Sequence, residues 1–225
     1  MNSVKCNTSS TPPSLIESLA ISSSHEVLTD IYKKDINITI WKRGLCKELE
    51  DAINKLLKIH TSLNITISLK PQDAYRTMVN ELGDTPEAHI LSKDISLLVD
   101  MFCYLFDLKR AGIRLNTLEK AMCPRFHVDK VPCRLVTTYR GSTTEWLPNI
   151  YADRNQLGIH NSENSDKKSG LYKTSNNIYQ SDEGDVSLLK GELWIGNKGS
   201  GLIHRSPQVV NGEKRLFMSF DFVDD

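Results

Sequence analysis

The sequence predicts an α+β protein in which a helix-rich first half supports an antiparallel barrel or jelly roll built by the second half. Three observations predict it. Residues 45–59 and 86–108 place apolar side chains at helical spacing, and INITIW (36–41) alternates apolar and polar residues in the manner of a strand. From Arg134 onward the runs RLVTTY, DVSLLKGELWI, LIHRS and RLFMSFDFV are short, strand-like and separated by turn-rich segments.

Along the chain, residues 1–24 are rich in Ser, Thr and Pro, have little to bury, and are expected to form a flexible tail. Residues 25–225 are expected to form one domain, helix-rich over 25–121 and β-rich over 122–225. After the strand at 36–41, Leu45, Leu49, Ile53, Leu56 and Leu57 share one helical face, and a second strand comes at Leu63–Leu69. A helix opens at Pro71 and stops at Gly83. Thr85-Pro86-Glu87 supplies an N-cap, a proline at the first helical position and an acid in the first turn. The helix that begins there has a wide apolar face running to Leu108, and Gly112 is expected to close it. Residues 155–184 are polar and read as a long surface loop or a lid.

Composition narrows the function classes. Lys plus Arg equals Asp plus Glu at 28 each, so no net field draws the chain to nucleic acid or to an anionic membrane. Five cysteines, at positions 6, 46, 103, 123 and 133, lack the spacing of a disulfide scaffold and point to a reducing, cytoplasmic setting. Pro12, Pro13, Ser14 and Glu17 interrupt any secretory core, and the apolar run ISLLVDMFCYLF is too short to span a bilayer. A soluble protein acting on a small molecule or a peptide is the expectation.

The chemistry concentrates in CPRFHVDKVPC (123–133). Cys123, Cys133 and His127 suggest a thiolate-rich zinc site, but structural zinc prefers four ligands in close pairs, and unpaired cysteines commonly pack as small hydrophobes. His127 and Asp129 stand two apart, and in a strand such residues share a face and can reach one ion. His204, entering a later strand after a glycine-rich turn, can bring a second imidazole to that face. Two imidazoles and one carboxylate make the facial triad of non-heme iron oxygenases. Lys214 and Arg215 come next. Arg215 shares parity with Phe217 and Ser219, opposite the apolar Leu216, Met218, Phe220 and Phe222, and an inward arginine requires an anion such as a carboxylate. Arg125, Arg140, Trp146 and Arg205, near the ligands in sequence, are candidates for a substrate pocket. A zinc-hydrolase reading lacks an obvious nearby general base, Glu145 being its one candidate.

HVDKVPCRLVTTYRGSTTEW resembles the His-x-Asp strand of prolyl-hydroxylase-type Fe(II)/2-oxoglutarate dioxygenases, and HRSPQVVNGEKR resembles their distal histidine segment. The resemblance implies a double-stranded β-helix of cupin-like jelly-roll form with the N-terminal layer supporting it. It implies Fe(II) on His127, Asp129 and His204, with no catalytic side chain beyond the ligands. It further implies 2-oxoglutarate anchored by Arg215 or Lys214 with help from Tyr139, and hydroxylation of a substrate C–H bond with loss of CO₂ from the ketoacid. One departure matters: Phe217 stands where many of these enzymes have a serine. The whole chain also resembles a family of bacterial proteins known as a domain of unknown function, loosely linked to zinc limitation. A non-catalytic cupin-like protein that senses or stores zinc or iron is therefore the alternative.

Overall fold

The structure, a computed structural model, describes residues 18–60, 62–158, 166, 169–210 and 212–223. The flexible tail expected to reach residue 24 lies outside the described residues as far as 17. Beyond that the expectation is corrected, because Leu19–Ser22 already forms strand β1, paired in parallel with β2 (Ile38–Trp41).

Three α-helices arise from local signals. In α1 (Lys47–Ile59) Leu49, Ala52, Ile53 and Leu56 are buried, the stripe that 3.6-residue spacing requires. After β3 (Asn64–Leu69), α2 (Pro71–Leu82) begins on its proline and ends at Gly83, whose φ of 96° suits a residue without a β-carbon. In α3 (Pro86–Phe106) the Thr85 hydroxyl accepts a 3.2 Å hydrogen bond from the Ala88 N–H. This helix stops earlier than expected: Asp107 turns left-handed at φ 53°, and the Leu108 N–H closes onto the Cys103 carbonyl. Gly112 is therefore no helix terminator but part of β4 (Ala111–Leu118), a strand that the apolar pattern of the sequence does not separate from the helix. Ala111, Ile113 and Leu115 face the helices.

The remaining strands are β5 (Cys133–Arg140), β6 (Glu145–Leu147), β7 (Tyr179–Gln180), β8 (Val186–Lys190), β9 (Ile203–Arg205) and β10 (Arg215–Phe222). They assemble into a seven-stranded sheet, β1-β2-β8-β5-β10-β4-β3, antiparallel except for β1 with β2, and a small sheet β7-β6-β9. DVSLLKGELWI is a strand only as far as Lys190. At Gly191 a β-carbon would overlap the Val131 carbonyl oxygen, so only glycine lets the chain turn there against residues 129–131.

The helices cover one face of the large sheet. Leu216, Met218 and Phe220 of β10 and Cys133, Leu135 and Tyr139 of β5 join them in the main core. On the other face, Val136 and Phe217 meet Trp146 and Leu202, so apolar contact also holds the space between the sheets. Parity along β5 and β10 therefore decides which side chains see the helices and which see that space. Among the described residues, no helix is long and apolar enough to cross a membrane.

Candidate metal centre and anion pocket

His127 reaches its place through a single bridge to β9, its N–H donating to the His204 carbonyl and its carbonyl receiving the reciprocal bond, at 3.0 and 2.9 Å. The His-x-Asp pair thus stands at the end of an irregular segment rather than in a regular strand. The Asp129 carbonyl accepts from the Glu192 N–H at 2.9 Å, directly after Gly191. The Glu192 carboxylate also accepts from the Gly199 and Gly201 N–H groups and from Arg154, shaping the turn that delivers His204.

One nitrogen or oxygen from each of His127, Asp129 and His204 lies within 4.8 Å of the others. The Nε2 atoms of the two histidines stand 3.7 and 3.3 Å from the Asp129 carboxylate. Each ring is oriented by its own backbone: His127 Nδ1 lies 2.9 Å from the Arg125 carbonyl and His204 Nδ1 lies 3.1 Å from the Leu202 carbonyl. A carbonyl can only accept, so Nδ1 carries a proton in both rings, and Nε2 is the nitrogen that each ring turns to the carboxylate. Burial, and after it the neighbouring His204, lowers the pKa of His127, favouring the neutral form that ligates metal. Burial alone would raise the pKa of Asp129, but the hydrogen bond and charge of His204, with Arg134 and His127, outweigh it and hold the carboxyl at about 2.

Arg134 is a site residue that the motifs leave unassigned. Its guanidinium bridges Asp129 (Nη1 to Oδ2, 2.6 Å) and Asp221 (Nε to Oδ1, 2.7 Å), fixing the ligand carboxylate from behind. Its parity with Val136 on β5 is the signal the sequence carries, with Asp129 five residues earlier as its partner.

Beside His127 and His204 a cavity between the sheets is also lined by Arg215, Thr144, Ser206 and Phe217. Arg215 is 1% exposed, yet no acid pairs with it among the described residues. Its Nη groups donate to Ser206 Oγ at 2.8 Å and to Thr138 and Thr144 Oγ1 at 3.2 Å each. Its Nε has no partner there. Phe217 lies beneath it, 4.3 Å from the guanidinium carbon to the ring centroid. Burial pulls the Arg215 pKa down to about 10. Three hydroxyls, of Thr138, Thr144 and Ser206, thus surround the guanidinium.

The other candidates divide between the two sides of the sheet, and several expectations are corrected. Lys214 belongs with Arg140, Gly141 and Glu183 around a separate surface hollow, because it has the opposite parity to Arg215. Arg140 pairs there with Glu183 at 3.5 Å and lines no part of the metal cavity. Tyr139 is turned toward the helices, fully buried, and donates at 2.7 Å to Asp94, which also holds Arg43; it cannot reach a ligand of Arg215. Cys133 is buried on that same helix side and burial pushes its thiol pKa up, so it packs instead of ligating. Trp146 is buried, stacked on Tyr179 and paired across strands with His204, where it supports the ligand strand without lining the cavity. Arg205 does touch the cavity wall, but Glu145 (2.5 Å) and Asp166 (3.0 Å) hold its guanidinium. That pairing also makes Glu145 a structural partner rather than a base facing the metal. Arg125 lines a groove on the outer side of His127, together with Cys123.

No curated protein matches the sequence. The fold is shared with the dioxygenase for auxin oxidation from rice (TM-score 0.52, 13% identity, over 87% of this chain and 76% of that one). It is shared as well with dioxygenase for auxin oxidation 1 from Arabidopsis thaliana in its 2-oxoglutarate complex (TM-score 0.50, 10% identity, over 92% of each chain). At such identity the likeness is one of fold, and the family assignment comes from the sequence itself: residues 22–221 match, so this chain belongs to the family described as protein of unknown function (DUF1826).

Proposed function

We propose that this protein is an Fe(II)/2-oxoglutarate-dependent dioxygenase on a double-stranded β-helix, hydroxylating a small-molecule or peptide substrate. One observation carries the reading: the cavity beside His127 and His204 is also lined by Arg215, a buried cation with hydroxyl neighbours and no acid among the described residues. An uncompensated buried charge is costly, and a site retains one when a ligand supplies the opposite charge. A dicarboxylate spanning from the metal to a guanidinium meets that need, because the planar fork holds a carboxylate through two parallel hydrogen bonds.

The donor set fits iron. Two imidazoles and one carboxylate would occupy only part of an iron ion's coordination sphere, whereas structural zinc prefers four protein ligands, a set which the buried Cys133 cannot help to complete. Bound there, the metal and the ketoacid supply oxygen activation coupled to decarboxylation. The protein supplies geometry: His127, Asp129 and His204 hold the ion, and Arg134 keeps Asp129 oriented and ionised. Arg215 would aim the distal carboxylate, and Val136 and Phe217 give an otherwise polar cavity its apolar side.

Anaerobic addition of Fe(II) and 2-oxoglutarate to metal-free protein tests the reading. The expected result is the visible charge-transfer absorption of a chelated ketoacid, followed by succinate when O₂ is admitted. Tight metal binding with neither absorption nor succinate overturns it in favour of a non-catalytic metal-binding protein.

A further inference from the structure

Resting on the dioxygenase reading, we propose that the substrate is an organic carboxylate with an apolar body, bound in the open groove on the outer side of His127. Exposure of the ligands shows where a substrate approaches. The His127 side chain is 34% exposed, against 13% for Asp129 and 7% for His204, so the metal is reached over His127. The groove there has a volume of about 590 Å³, ample for a small organic molecule. Phe126, Val128 and Leu157 give it an apolar wall. That wall is fixed in place: the Asp166 carboxylate accepts from the Phe126 N–H at 3.1 Å, and the Arg205 guanidinium stacks 4.3 Å from the Phe126 ring centroid.

Charge selects among apolar ligands. Arg125 and Lys130 line the groove, and among the described residues no acidic side chain does. Arg134, Arg154 and Arg205 are each held by a carboxylate. Arg125 and Lys130 make no ion pair among the described residues, so the groove is a cationic, apolar surface whose complement is an anion with a hydrocarbon body. Burial of that body supplies affinity, and the carboxylate fixes which end points away from the metal.

Octanoate, octanamide and octylamine are titrated calorimetrically into the full-length protein loaded with Fe(II) under nitrogen, with and without 2-oxoglutarate. Octanoate is expected to bind about tenfold or more tightly than octanamide, and octylamine not measurably. Arg125→Ala/Lys130→Ala should erase the preference for the acid over the amide while leaving 2-oxoglutarate affinity unchanged. Arg215→Met should retain that preference and lose 2-oxoglutarate. Equal binding of acid and amide by the unaltered protein overturns the proposal, as does a preference that survives the double substitution. Loss of octanoate in Arg215→Met also overturns it, since the carboxylate would then lie in the inner cavity. A protein that shows the groove preference yet fails to bind 2-oxoglutarate would sink the cosubstrate reading and leave the groove assignment standing.

Discussion

Replacing Arg215 with methionine should move stability and ligand affinity in opposite directions. The guanidinium is 1% exposed, faces hydroxyls and an aromatic ring, and titrates at about 10. At about 1.4 kcal/mol per pH unit, that depression costs the folded, ligand-free protein roughly 3 kcal/mol while the group is charged. The penalty holds throughout the range below pH 10 and is relieved only as the pH rises through it. Hydrogen bonds to Ser206, Thr138 and Thr144 offset part of this cost, so Arg215→Met should leave ligand-free stability unchanged or raise it by about 1–3 kcal/mol. With 2-oxoglutarate the sign reverses. Two charge-assisted hydrogen bonds at about 1.5–3 kcal/mol each amount to roughly a 10²- to 10⁴-fold loss of affinity. Arg215→Lys keeps charge without the fork and should fall between. Thermal unfolding of the metal-free protein and anaerobic titration of the charge-transfer absorption measure the two quantities. A methionine variant that unfolds several degrees earlier and still binds 2-oxoglutarate normally would contradict both expectations, because Arg215 would then be a structural strut.

Three other substitutions separate orientation from packing. Arg134→Ala removes the group that holds Asp129 from behind without touching a ligand atom, and metal affinity measured by competition with a chelator should fall about 10- to 100-fold. Tyr139→Phe breaks the buried hydrogen bond to Asp94 and should cost about 2 kcal/mol in denaturant unfolding, with 2-oxoglutarate affinity unchanged. An equal loss of ketoacid affinity would restore Tyr139 to the cosubstrate pocket. Gly191→Ala drives a methyl group against the Val131 carbonyl and should destabilise the fold by more than about 3 kcal/mol, or weaken metal binding by displacing Asp129. Metal affinity and unfolding both unchanged in that variant would show that residues 129–131 yield freely.

Local periodicity was legible in the residues alone. Apolar stripes and end signals placed three helices, with Pro71, Gly83 and Thr85-Pro86 as boundaries. Two-residue alternation put Arg215 on the face opposite Leu216 and Met218, the spacing of His127 and Asp129 singled out that pair, and the place of His204 after a glycine-rich turn added the third candidate. Pairing across strands came only from the folded chain. Arg215 meets the hydroxyl of Ser206 and, across the fold, those of Thr138 and Thr144 more than seventy residues earlier, and Arg134 finds Asp221 across β5 and β10. The register of β5 against β10 skips Tyr139, and Tyr139 turns to Asp94 on α3, 45 residues away in sequence, so the motif resemblance that offered Tyr139 to the cosubstrate misled. Strand β4 was hidden for a related reason: its apolar residues continue the pattern of the helix before it, and only the short segment 107–110, opened by Asp107 in a left-handed conformation, separates the two. Periodicity is a property of neighbouring residues, whereas the cavity around Arg215 is made of groups that sheet register brings together from different parts of the chain.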